Sequence, residues 1–257
     1  MRSSSPVLVL ALGLLALGAA PAAAAPRPSA AIVAAVADPS RPAEDAARDA
    51  NRKPAETLAF VGLKPGDRVA DYIANSGYFT RLFSDVVGPR GRVFAVELNE
   101  IVTYANVAKG YAALQAWAPG RPNVTLTTVP ASEPVAFPEK LDAFWISQNY
   151  HDLHDKFLGP VDVAAFNRQV FAALKPGGHY IVLDHSAVPG APADVTETLH
   201  RIEADTVKRE VEAAGFVLEA ESDLLANPAD PRTKGVFDDS IRGHTDQFML
   251  KFRKPRG

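Results

Sequence analysis

The chain has 257 residues, 47% of them hydrophobic and 22% charged, with a formal charge of −3 and no cysteine. That is enough apolar material for one core of α/β size. The basic residues are scattered apart from the closing "KFRKPRG", so nucleic-acid binding finds no support. The lack of cysteine excludes disulfides, thiolate metal sites and a cysteine nucleophile.

Arg2 precedes an apolar run from Val7 to Ala20, and "PAAAAPRP" then supplies small residues in the A-x-A arrangement. This pattern predicts a secretory signal peptide over 1–24, cut before Ala25, because a cut after Ala25 would abut Pro26. The run is short for a bilayer span, so the expectation is an exported chain, periplasmic or extracellular, without a stable membrane anchor. Residues 25–66 read as an N-terminal extension of two short helices. Pro42 and Pro54 suit first turns, and Gly62 and Gly66 suit stops. Arg48, Asp49, Arg52 and Lys53 read either as a solvated helix face or as a flap over an active site.

From 67 to 254 strands and helices alternate. "RVADY", "YFTRLFSDVVG" and "GRVFAVEL" form a βαβ unit. A helix over about Ile101 to Trp117, strands at "NVTLTTV" and "LDAFWIS", a helix over about Val161 to Leu174 and a strand at "HYIVLDH" follow. Such alternation predicts one domain with a mostly parallel sheet covered on both faces. After a helix in "RIEADTVKREVEAAG", "FVLEAESDLL" and "DQFMLKFRK" have no helix between them, so this last pair should be antiparallel.

Ligands of open parallel sheets bind beyond the carboxyl ends of the strands, which places "DYIANSGYFT", Asp71 to Thr80, in the crevice. Glu97 closes the second strand, where an acid can accept both hydroxyls of a ribose; a tight turn and a surface carboxylate are the plainer reading. "SQNYHDLHD" ends the fourth strand. It offers His151 and Asp152 as candidates for acceptor contact or proton removal, with Asp184 as the group that could orient the imidazole. His151 and His154 with Asp152 or Asp155 could bind a metal, but histidine pairs without a distinct motif are usually surface polar residues, and no metal is expected. Asp184, His185 and Ser186 cannot form a triad among themselves, since neighbours in a strand point opposite ways, and no G-x-S-x-G is present. His200 and Arg201, and Arg242, His244 and Asp246 in "IRGHTD", read as a pocket rim or as exposed polar turns.

"RVADYIANSGYFTRLFSDVVGPRGRVFAVEL", "ALKPGGHYIVLD" and "AGFVLEAESDLL" with "DQFMLKFRKP" together resemble the class I S-adenosylmethionine-dependent methyltransferases over about Arg48 to Lys254. "RDANRKP" and "NYHDLHD" resemble a subgroup of predicted secreted members. A dinucleotide dehydrogenase competes for the first βαβ unit but requires a G-x-G-x-x-G that is missing, and leaves the antiparallel finish unexplained. The resemblance implies a single Rossmann-like domain over 67–254 with a seven-stranded, mostly parallel sheet and an antiparallel C-terminal hairpin. It implies S-adenosylmethionine as cofactor, bound through Asp71, Asn75, Gly77, Glu97, Ser132 and Asn149, and a small-molecule acceptor. Ile73 and Asn75 stand where the family usually has glycine. Asn tolerates positive φ, whereas β-branched Ile73 resists it, so the loop is expected to be extended there, or the ligand to lie farther off. The function so implied is methyl transfer to an unidentified small molecule (EC 2.1.1.-). A non-catalytic ligand-binding protein on the same fold and, more distantly, a metal-assisted hydrolase are the alternatives.

Overall fold

The computed structural model describes residues 26–256, so the signal-peptide stretch lies outside the described residues. Seven strands form one sheet: β1 (Arg68–Tyr72), β2 (Arg92–Leu98), β3 (Val124–Val129), β4 (Leu141–Ser147), β5 (Leu174–His185), β6 (Val217–Ser222) and β7 (Gln247–Arg253). Their order is β3-β2-β1-β4-β5-β7-β6. Pairs from β3 to β5 are parallel, and β7 runs antiparallel to both β5 and β6. The helixless connection between the last two strands dictates this reversal. β5 begins earlier than "HYIVLDH" suggests, taking in Leu174 to Gly178 with a register shift opposite β4.

Alternation along the strands sorts side chains onto two faces. Tyr72, Phe144, Ile146, Tyr180 and Val182 enter one core, closed by α7 (Val163–Ala173) and α9 (Ala204–Ala213). Val69, Trp145, Ile181, Leu183 and Met249 enter the other. The helix after β1, α5 (Tyr78–Val87), lies on this second face, and α6 (Ala105–Trp117) follows β2 after a short 3-10 turn over Ile101–Thr103.

The N-terminal extension holds four helices rather than two: α1 (Ala30–Val36), α2 (Ala43–Ala46), α3 (Asp49–Arg52) and α4 (Pro54–Val61). Lys53 in left-handed conformation breaks α3 from α4 and places Pro54 at the first position of the new helix. Ile32, Ala35, Leu58 and Val61 are buried in the second core, against α5. That explains why α5 is buried nearly all round: the sheet takes one side and the extension covers the other. Each such buried aliphatic side chain contributes roughly 1.5–3 kcal/mol, so the extension is part of the core rather than a tail.

Candidate active site

The strand order reverses between the parallel neighbours β1 and β4, which opens a crevice at their carboxyl ends. A cleft of about 650 Å³ occupies it. Its walls come from the loop after β1, the start of α6, the segment after β4, His185, His200 and the pair Val236 and Phe237, with Arg48 and Arg52 of the extension on one side. Among the described residues, four of the six non-glycine residues with positive φ line it: Ile73, Asn75, Gln148 and His200. Such strain persists only where surrounding contacts over-determine it, and it gathers at binding sites.

The loop from Ile73 to Gly77 shows how. Ile73 (φ 59), Asn75 (φ 51) and Gly77 (φ 78) are all left-handed. The expectation of an extended conformation at Ile73 is therefore corrected. Its side chain is 3% exposed in the first core, and the loop backbone is pinned on either side. Ala74 N donates to Val96 O at 3.0 Å, Asn75 N to Glu97 Oε2 at 2.7 Å, and Gly77 N to Ala74 O at 2.8 Å. Burial and hydrogen bonds together outweigh a cost of about 1–2 kcal/mol for the left-handed backbone. Gly77 is the position that must be glycine, since a Cβ there would lie 2.4 Å from Leu114 Cδ1.

The expected binding residues separate into three groups. Asp71, Asn75 and Asn149 line the cleft. Asp71 accepts from Thr80 Oγ1 at 2.5 Å, and burial pushes its carboxyl up to about 7. Asn75 Nδ2 reaches Asn149 Oδ1 at 3.4 Å, joining the loop to the end of β4. Gly77 and Glu97 sit behind the wall. Glu97 is fully buried, its oxygens taken by the N–H groups of Asn75 and Leu98, and burial raises it to about 7. Ser132 is exposed, beyond the wall.

His151 and Asp152 lie on a 3-10 turn, His151–His154, reached from the end of β4 through Gln148, Asn149 and Tyr150. The turn, unlike a strand, lets adjacent residues share a direction. Asp152 Oδ1 is 3.2 Å from His151 Nε2. His151 Nδ1 lies 2.8 Å from Asp184 Oδ1, and its backbone N–H donates to Asp184 Oδ2 at 2.9 Å. Asp184, at the end of β5, does orient the ring. Both ring nitrogens are engaged, so the imidazole is not an open base. Burial alone would lower its pKa, but Asp184 and Asp152 overcome this and push it well above the ordinary value. Asp152 lies well below the carboxylate range, held there by His151 against its burial. Asn149 Nδ2 donates to Asp152 Oδ2 at 2.7 Å.

Sequence reasoning placed Asp155 only in a possible metal set with His151 and His154, and gave His200 a rim role. His200, at the end of α8 (Val195–Leu199), places Nδ1 3.9 Å from oxygens of both Asp152 and Asp155. His154, in contrast, turns to Glu210 at 3.2 Å. Arg201 is fully buried and bonds Ser186 O, Lys234 O and Asp230, so it ties loops together. Asp246 likewise is held by Arg232 and the Asn227 N–H. The loop residues that reach the cleft are Val236 and Phe237, not Arg242, His244 or Asp246.

The arginines of the extension are anchored rather than solvated. Asp45 pairs with Arg81 and Arg48, and Arg81 also donates to Ser76 O at 2.7 Å. Asp49 takes a bidentate contact from Arg41 and the Tyr78 hydroxyl at 2.6 Å. Arg52 stacks over Tyr78 at 4.6 Å, and burial lowers it to about 10.

The doubly wound sheet, its antiparallel last strand and a cleft over β1 and β4 define the Rossmann-like fold of class I methyltransferases. A methyltransferase from Aquifex aeolicus, described as S-adenosylmethionine dependent, shares the fold at TM-score 0.51 and 18% identity, covering 79% of this chain and 89% of that one. No protein-family model matches. Among relatives, the ubiquinone/menaquinone biosynthesis C-methyltransferase UbiE of Ectopseudomonas mendocina is 29% identical over 204 residues, 76% of this chain. Its counterpart in Vibrio cholerae is 30% identical over 196 residues, again 76% of this chain. The chain spans 66% and 65% of the lengths of these two relatives. By its fold and by these relatives the chain is similar to the class I S-adenosylmethionine-dependent methyltransferases.

Proposed function

We propose that the protein moves the methyl group of S-adenosylmethionine to a small-molecule acceptor. The observation that carries this reading is the left-handed loop from Ile73 to Gly77, held under a cleft of about 650 Å³ at the point where strand order reverses. The volume suits a nucleoside-sized ligand. The loop keeps a glycine-type path although two of its usual glycines are absent, so ligand and backbone can still approach closely. The relatives' names for methyl transfer favour this reading over a non-catalytic one.

The cofactor supplies an electrophilic methyl on a good leaving group, which leaves alignment and exclusion of water to the protein. Asn75 and Asn149 offer polar contacts on the cleft wall, and Asp71 faces it. Gly77 and Glu97 contribute by shaping the loop from behind. Arg48 and Arg52 close one side of the cleft against water. His151 and Asp152 mark the acceptor end. Locked between two carboxylates, His151 shares its proton with Asp152 and polarises an acceptor oxygen or nitrogen set against the pair.

Calorimetry with S-adenosylmethionine and S-adenosylhomocysteine on the purified protein tests the reading. One equivalent of each should bind. An intact melting transition without binding of either overturns it. We also propose that the protein is exported, on the strength of the apolar run and A-x-A pattern; sequencing of the mature N-terminus should find it between Ala23 and Ala31.

A further inference from the structure

At the acceptor end of the cleft, His151, Asp152 and Asp155 meet His200 from the end of α8, and one ligand atom of each lies within 4.8 Å of all the others. The Asp155 side chain is only 1% exposed, and neither of its oxygens has a hydrogen-bond partner of good geometry, the Thr196 side chain being its nearest polar support. A buried carboxylate left alone is costly, and such groups are ordinarily paired or bound to a cation. His151 Nδ1 is fixed by Asp184 at 2.8 Å, the carboxylate contact that turns the other imidazole nitrogen toward a metal. His151 Nε2 and Asp152 Oδ1 stand 3.2 Å apart. Neighbouring ligands on one ion with bonds of about 2.1 Å are separated by about 3.0–3.4 Å. His200 is held at φ 53, a strained backbone for histidine, with Nδ1 3.9 Å from both carboxylates.

We propose that His151 Nε2, Asp152, Asp155 and His200 Nδ1 bind one divalent first-row transition ion such as Zn²⁺ or Mn²⁺. The mixed imidazole and carboxylate donor set suits these ions. The ion takes the place of the proton shared by His151 and Asp152. The 4.8 Å spread closes by small side-chain rotations, since opposite ligands of a six-coordinate ion lie about 4.2 Å apart. Because His151, Asp152 and His200 also line the cleft, the ion keeps a position open to it. There it binds an oxygen of a small molecule, water or an acceptor hydroxyl, and lowers its pKa. This site does not depend on the methyl-transfer reading, and a failure of either leaves the other standing.

The test strips the full chain with chelator, then titrates Zn²⁺ and Mn²⁺ separately by calorimetry, with metal content after dialysis read by plasma mass spectrometry. Wild type should retain about one equivalent of at least one ion, with a raised Tm. Asp155→Asn and His200→Ala, folded by their melting transitions, should each bind at least about tenfold more weakly, and Asp184→Asn about 10–100-fold more weakly through loss of ring orientation. His154→Ala should bind as wild type. A folded wild type that retains neither ion overturns the proposal, as does undiminished binding in both Asp155→Asn and His200→Ala. S-adenosylmethionine titrated into the same samples reads the cofactor question separately.

Discussion

At one end of the cleft the loop from Ile73 to Gly77 presents backbone and small side chains; at the other, beyond β4 and β5, imidazoles and carboxylates crowd together. The loop end is specified by conformation: three left-handed residues, held by the end of β2. The other end is specified by charge, with His151 between Asp184 and Asp152. Conformation tolerates changes of residue type, which is how Ile73 and Asn75 can occupy glycine positions. Buried charge does not, because each group depends on its partner.

The largest effect should therefore come from the charged end. His151→Ala leaves Asp152 and Asp184 without their imidazole and should cost about 3–5 kcal/mol in denaturant unfolding, with turnover down about 10²–10⁴-fold. S-adenosylmethionine affinity should stay within about threefold if the two ends are independent; a parallel loss of affinity would show them coupled through Asn75 and Asn149. Next is Ile73→Gly. It relieves backbone strain of about 1–2 kcal/mol but deletes a buried side chain worth about 2–5 kcal/mol, so a net loss of about 1–3 kcal/mol is expected, with cofactor binding unchanged. A more stable variant would mean that strain dominates the loop.

The smallest effect is a pH dependence at Asp71. Its folded pKa of about 7 lies above the ordinary 3.8, so the folded state holds this proton more tightly than the unfolded state does. That contribution is complete below about pH 4 and is lost as pH rises through about 7. Asp71→Asn should flatten the decline in stability between about pH 4 and 7. Identical pH profiles would mean that the carboxyl titrates normally.

The sheet was legible because its signals are local: "GRVFAVEL" and "LDAFWIS" carry strand patterns within themselves, and the missing helix before "DQFMLKFRK" announces the reversal. The loop was half legible. The departure at Ile73 shows in the sequence, but its left-handed backbone depends on contacts from Val96 and Glu97, which no local pattern reveals. His151, Asp152 and Asp184 were found because they end strands, where ligands bind. Asp155 was grouped with His154 rather than His200, whose place beside it was missed: α8 lies in a connection without strong periodicity, and only the tertiary fold brings it beside the turn after β4. The extension was left open between a solvated face and a flap for the same reason. Arg48 and Arg52 look solvated in a charged segment, yet Asp45 and Tyr78 draw them onto the cleft.

Because β6 borders only β7, and β7 comes later along the chain, β6 has no ladder to join while synthesis proceeds. The earlier strands can pair as they emerge, and they leave the edge of β5 bare for as long as β7 is missing. An unpaired edge of this length, with Tyr180, Ile181, Val182 and Leu183 along it, is a template for pairing with another chain. The period of greatest aggregation risk for this protein thus runs from the completion of β5 to the docking of β7, and the residues between them set how long it lasts.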